Sequence, residues 1–328
     1  MVTTRCLRIV FFGTPGFAVP TLDGLLTSTH DVIAVVTQPD RPRGRGHRHS
    51  DAPVKRRAVQ AGLPLLQPSV LKDPEFLDAM SALHPDLGVV AAYGKLLPER
   101  LLAIPAEGLI NVHASLLPKY RGAAPIHRAI ANGETETGVT IMRVVKALDA
   151  GPMLANVRRP IGEGDTSVDV ERDLAELGAR LLVETVDNLA AGSVREVPQD
   201  DSQATYAPRL TREDGAIDWS RPARTINNLV RGMQPWPMAY SYLAGRRLIV
   251  LRSSPSADAA AEPPGTVVTA RGDELRVATG EGTLLVSELQ AEGKRPMTTR
   301  EFLAGHRIAP GEQFNAPPPA GSSLAAGT

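Results

Sequence analysis

Two unbroken apolar runs, LRIVFF at 7–12 and VIAVVT at 32–37, flank the stretch TLDGLLTSTH, whose apolar residues fall at helical spacing. A strand with no polar alternation is satisfied only by burial on both faces, the condition of an inner strand in a parallel sheet. The intervening helix supplies the crossover that parallel neighbours need. Further short runs follow at 86–91 (DLGVVA), 109–112 (LINV) and 138–145 (GVTIMRVV), with helical stretches between them. One of these helices, 125–131, opens at Pro125 and closes at Gly133, the usual placement of those residues. The alternation predicts a doubly wound, mostly parallel α/β domain.

Residues 167–191 read as one long helix, with Leu174, Leu177, Leu181, Leu182 and Val186 at helical spacing. REVPQDDSQATYAPRL is polar, carries proline and has little periodicity, so it reads as a linker. Beyond about residue 209 the texture changes. A helical piece at 224–231 precedes short alternating segments at 240–243, 247–252, 266–269, 274–278 and 283–288, punctuated by Gly, Pro and Asp. That spacing suits a small β-barrel. The expected division is 1–193, a linker at 194–208, a barrel at 209–310 and a disordered tail at 311–328, with no internal repeat.

Composition narrows the function classes. Lys and Arg balance Asp and Glu at 36 each, so overall charge does not announce a nucleic-acid partner. Residues 1–150 carry 17 basic against 13 acidic side chains, 151–208 carry 5 against 11, and 209–310 carry 14 against 11. These asymmetries are modest. A single cysteine, Cys6, excludes a disulfide framework and a multi-cysteine metal site, and it suits a reducing compartment. The apolar core of the N-terminus is only about six residues, short for a signal peptide. No stretch approaches the roughly 20 apolar residues of a membrane helix. A cytoplasmic protein is expected, and with no interface stripe in view, a monomer.

The stretch LINVHASLLP (109–118) begins as a buried strand but places Asn111 and His113 on one face, since strand side chains alternate. Burying two strong hydrogen-bonding groups without partners is costly, so each must be satisfied or working. They lie where the strand runs out, the end at which open α/β sheets bind ligands. Asp149 follows another apolar run, in the Gly-flanked turn LDAGPM. The three offer complementary chemistry. An Asn111 amide can polarise a carbonyl, a His113 imidazole can carry a proton, and Asp149 can orient that ring. None is an activated nucleophile, which suggests direct transfer of an acyl-like group.

Other constellations are weaker. Ser115, His113 and Asp149 would make a hydrolase triad, but no G-x-S-x-G elbow surrounds Ser115. His47 and His49 lack a third ligand nearby, so no metal is expected. GTPGFA does not fit G-x-G-x-x-G, which disfavours a nicotinamide cofactor.

INVHASLLPKYRGAAPI, LDAGPM, FFGTPGFA and TQPDRPRGRG, with VVAAYGKLLP (89–98), TGVTIM (137–142), IDWS (217–220) and QPWPMAY (234–240), together resemble the methionyl-tRNA formyltransferase family over nearly the whole chain except the tail. Ala114 departs from the glycine frequent there. The resemblance implies a Rossmann-like formyltransferase domain over 1–193 and an OB-like, tRNA-binding barrel over 209–310. It implies 10-formyltetrahydrofolate as co-substrate, no metal, and methionyl initiator tRNA as acceptor. On this resemblance Asn111, His113 and Asp149 are catalytic, Ser115, Leu116, Leu117 and Pro118 bind folate, and Val89 and Tyr93 border that pocket. Arg41, Arg43 and Arg45 in the loop PDRPRGRGHRH, with Arg246, Arg247, Lys294 and Arg295 in the barrel, are the expected tRNA contacts. Three alternatives share some of these residues: a formyltransferase for a small amine such as a nucleotide sugar or purine precursor, a non-catalytic RNA-binding protein, and a hydrolase of the same folate.

Overall fold

A computed structural model describes residues 5–40, 42, 43, 48, 49, 51–258 and 260–315; of 42, 43, 48 and 49 it describes only the backbone. The chain divides into two compact units, one of Met1–Ile126, Glu136–Ile161 and Asp169–Arg209, the other of His127–Thr135, Gly162–Val168 and Leu210–Thr328.

The first unit is built on a seven-stranded sheet. Its spatial order is Met153–Pro160, Glu136–Arg143, Leu109–His113, Leu87–Ala91, Arg8–Gly13, Asp31–Val36 and Leu65–Leu66. Both opening runs become parallel neighbours, paired from Arg8↔Asp31 to Phe12↔Val36. Ile9, Val10, Phe11 and Phe12 are fully buried, as an unbroken apolar run requires. The chain builds outward from Arg8–Gly13 to Leu65–Leu66, then returns to Leu87–Ala91 on the other side and continues to Leu109–His113. That reversal is the switch point where open α/β sheets leave a crevice at their carboxyl ends. The Rossmann-like, mostly parallel sheet expected from the sequence is present.

On one face, Val10, Phe12, Val36, Val90 and Leu109 pack with Phe76, Leu77, Met80 and Leu101. Each large side chain buried in this way contributes roughly 1.5–3 kcal/mol. The strand ends are tied to one another above this core. Gln38 Nε2 donates to the Tyr93 carbonyl at 2.7 Å, and Thr14 Oγ1 accepts from the Gln38 amide at 3.3 Å.

Two strands depart from the parallel scheme. Glu136–Arg143 runs antiparallel to Leu109–His113, and Met153–Pro160 runs antiparallel to Glu136–Arg143. The second of these has no apolar run. Its partly exposed residues alternate along an edge, so it carries no signal of a buried strand.

The second unit holds an antiparallel curled sheet in the order Val267–Arg271, Glu274–Ala278, Thr283–Ala291, Arg246–Ser256, Ala239–Leu243 and Phe314–Asn315. An isolated bridge from Thr266 to Gln313 joins the chain just before one edge strand to the chain just before the other. Trp219, Ile226, Val230, Leu248, Val286 and Phe302 are among the buried core residues. The Trp219 indole N–H is satisfied by Ser241 Oγ at 2.9 Å. A helix at Thr299–Gly305 begins with a capping box between Thr298 and Glu301.

Candidate active site

His113 is the last residue of its strand, and Asn111 lies two residues back on the same face. His113 is 5% exposed. Its Nε2 lies 3.0 Å from the Tyr120 carbonyl. A carbonyl only accepts, so Nε2 carries the hydrogen and Nδ1 is the nitrogen left open. Nδ1 sits 3.8 Å from Asp149 Oδ2, within ion-pair range but beyond a hydrogen bond. Tyr120, not Asp149, therefore makes the bond that fixes the ring. The Asn111 side chain is half-buried and makes no hydrogen bond among the described residues.

The loop after His113 is pinned rather than slack. Thr140, opposite His113 in the sheet, donates its hydroxyl to the Ser115 carbonyl at 2.7 Å and accepts from the Leu117 amide at 3.2 Å. Ser115 Oγ donates to the Lys119 carbonyl at 2.7 Å. The Leu117–Pro118 peptide is cis. Of the four expected folate residues, Ser115 and Leu117 are buried, and Leu116 and Pro118 are partly exposed. Val89 is fully buried and Tyr93 is 2% exposed. Tyr93 packs edge-on against Phe12 with centroids 5.7 Å apart. Burial pushes its phenol up to about 12. Tyr93 belongs to the buried cluster of Val10, Phe12 and Val90, whereas Val89, next to Val90 in its strand, faces the other side of the sheet.

Asp149 reaches the site by an indirect route. Glu136–Arg143 is antiparallel, so its carboxyl end lies level with Ile110 and not with His113. Residues 144–152 double back, closed at the base by the Arg143 amide on the Pro152 carbonyl at 2.9 Å. Asp149 itself sits at φ +47°, and its Oδ2 accepts from the Gly122 amide at 2.8 Å.

Segment 199–207, part of the expected linker, lies against this turn. Tyr206–Ala207 pairs in parallel with Arg121–Gly122. Thr205 Oγ1 accepts from the Tyr120 amide at 2.9 Å. Gln199 Nε2 donates to the carbonyls of Asp149 and Gly151 at 2.8 and 2.7 Å. Sequence reasoning missed Tyr120, Gly122 and Gln199. The first two act through backbone atoms, which leave no mark on composition, and Gln199 lies in a stretch without periodicity.

Of the expected tRNA contacts, Arg41 and Arg45 lie outside the described residues, as does the side chain of Arg43. Of the expected disordered tail at 311–328, residues 316–328 lie outside them too. The expectation fails at 311–315, where Phe314–Asn315 pairs with Ala239–Leu243 and Phe314 is buried in the second unit's core. The backbone of Pro42–Arg43 pairs antiparallel with Arg48–His49. In the second unit Arg246, Arg247 and Lys294 line a cavity of ≈ 560 Å³, joined by His306 and Arg307. The Arg247 guanidinium lies 4.1 Å over the Tyr240 ring. Arg295 does not line this cavity and pairs instead with Glu301 at 2.9 Å. Among the described residues no cluster of three or more His, Cys, Asp or Glu could hold a metal ion. No described helix is long and apolar enough to cross a membrane.

A site of this kind, at the carboxyl ends of a switched α/β sheet, agrees with the family comparisons. Residues 7–186 match the formyl transferase model, and residues 209–307 match that of the formyl transferase C-terminal domain. A methionyl-tRNA formyltransferase of Caldanaerobacter subterraneus is 50% identical over 306 residues, covering 93% of this chain and 99% of that protein. Another, of Heliobacterium modesticaldum, is 48% identical over 316 residues, covering 94% and 100%. The chain belongs to the methionyl-tRNA formyltransferase family. Among solved structures, the sugar 3N-formyl transferase WlaRD, crystallised with dTDP and 5-N-formyl-THF, superposes with a TM-score of 0.65 at 17% identity, covering 89% of this chain and 100% of that one. That likeness concerns the fold.

Proposed function

We propose that this protein transfers a formyl group from 10-formyltetrahydrofolate to the α-amino group of methionyl initiator tRNA. The observation that carries the reading is the Asn111 amide, half-buried without a hydrogen-bond partner among the described residues, on the same strand face as His113 and its Asp149 neighbour. The methionyl-tRNA formyltransferases among its relatives support the acceptor, and the 5-N-formyl-THF crystallised with WlaRD supports the donor. The pinned turn Ser115–Pro118 offers a preformed rim for the folate, with Leu116 and Pro118 as its partly exposed side chains. Val89 and Tyr93 are read as bordering the folate pocket.

The bound co-substrate supplies the formyl carbon, whose bond to the folate nitrogen breaks as the bond to the amine nitrogen forms. Asn111 donates to the formyl oxygen while negative charge develops there. The open Nδ1 of His113 takes the amine's proton beside the Asp149 carboxylate and passes it towards the departing nitrogen. The second unit is read as an OB-like barrel whose Arg246, Arg247 and Lys294 meet phosphates, with Arg295 at its margin. Arg41, Arg43 and Arg45 do the same from the first unit. The catalytic and tRNA-binding parts are read as centred on 1–193 and 209–310, in a cytoplasmic monomer. The expected linker at 194–208 packs on the first unit through Gln199 and Tyr206–Ala207. The expected tail at 311–328 starts too early, since Phe314–Asn315 is a strand of the second unit's sheet.

The test is formyl transfer from 10-formyltetrahydrofolate to methionyl initiator tRNA, with methionyl elongator tRNA in parallel. Product on initiator tRNA alone is expected. No product on either, with folate still bound, would replace this acceptor by a small amine. A second expectation concerns charge: Arg246→Ala combined with Lys294→Ala should reduce the slope of log affinity against log salt by about 1–2. An unchanged slope would remove both residues from phosphate contact.

A further inference from the structure

We propose that Gln199 is the positioning residue for Asp149, which makes the segment after the long helix Ser167–Ala190 a working part of the active site. The inference rests on the catalytic reading above. It begins from a weakness in the site: Asp149 is not held by its own strand. Its turn doubles back from a strand end level with Ile110, and only the base of that turn is closed by the sheet. Asp149 sits in the left-handed region at φ +47°, a conformation aspartate accepts as a single residue. Its backbone alone therefore does not fix where the carboxylate points, and the turn depends on contacts from outside.

Gln199 supplies that hold with its whole amide. Oε1 accepts from Arg121 Nε and Nη2 at 3.1 and 2.8 Å, and Nε2 donates to the carbonyls of Asp149 and Gly151. Two donors and two acceptor positions are all an amide has, so the group cannot rotate without breaking these bonds. Arg121 is 4% exposed and also binds Asp201 at 2.6 Å, which anchors the donor side of the arrangement.

The carboxylate end of Asp149 depends on the same segment. Its partner, the Gly122 amide, belongs to the two-residue strand that pairs with Tyr206–Ala207. A Cβ on Gly122 would stand 2.6 Å from the Ala207 carbonyl oxygen, and Gly122 has φ +120°. Residues 199–207 thus brace Asp149 at its carbonyl directly and at its carboxylate through Gly122. The brace fixes the 3.8 Å separation between Asp149 and His113 Nδ1.

Two variants separate positioning from simple support of Arg121. Gln199→Glu keeps an acceptor for Arg121 and loses both donors to the turn; Gln199→Ala loses everything. In the substrate-free full chain, hydrogen exchange at the Gly122 amide should quicken at least about 10-fold in both variants. Their kcat should fall about 10–100-fold, with KM for folate and tRNA within about twofold of the wild type. Gln199→Glu should hold its Tm within about 4 °C. Unchanged Gly122 exchange, an unchanged kcat, or a kcat loss in Gln199→Glu that only follows a collapse of Tm would each overturn the proposal. If the wild-type protein formylates no methionyl-tRNA, the proposed reaction falls, and Gly122 exchange still decides the brace.

Discussion

Asn111→Ala should lower kcat on methionyl initiator tRNA by about 10²–10³, the loss typical of one oxyanion donor removed. The side chain is half-buried and has no hydrogen-bond partner among the described residues, so its removal orphans no internal group. Stability and tRNA affinity should stay near those of the wild type. That combination distinguishes a donor used only as charge develops from a structural amide. The former lowers kcat and kcat/KM together; the latter shows first in the melting curve. Near-wild-type kcat under saturating substrates would take Asn111 out of this role.

His113 should show an effect of about 10²–10⁴ in kcat, the range for a positioned proton carrier. Here the obvious variant is a poor test. His113→Ala removes a buried ring together with the Nε2–H bond to the Tyr120 carbonyl, and a lost hydrogen bond by itself costs about 0.5–1.5 kcal/mol. His113→Gln retains an N–H for that carbonyl and lacks a nitrogen able to take up a proton near neutrality. It should melt closer to the wild type than His113→Ala while losing comparable activity. Retention of kcat within a few fold in His113→Gln would show that the ring is held for packing and not for proton transfer.

How much of this was legible in the sequence depends on what each residue does. LRIVFF and VIAVVT declared themselves because strands buried on both faces leave no room for polar alternation. The run at 138–145 declared a strand but not its direction, since an apolar run reads the same both ways. Its antiparallel course changes the meaning of Asp149. The residue stood out as a candidate at a strand end, yet that end lies away from the crevice and the turn has to return. Met153–Pro160 was silent because an edge strand alternates and hides among surface patterns. Asn111 and His113 were visible as polar residues out of place in an apolar strand. The Tyr120 carbonyl that orients the ring was invisible, as backbone acceptors are common to every residue type. Gln199 was hidden for a related reason: hydrogen bonding imposes no periodicity on the chain.

The parallel pairing of Tyr206–Ala207 with Arg121–Gly122 also bears on modularity. A fragment ending at Ala190 would retain all seven strands of the first sheet and look complete by secondary structure. It would lack the stretch that threads back alongside the loop after His113. The smallest autonomous version of this catalytic half therefore extends past Ala207, well beyond its last long helix. Any graft or fusion that treats residues 194–208 as an interchangeable spacer would cut into the half it was meant to leave whole.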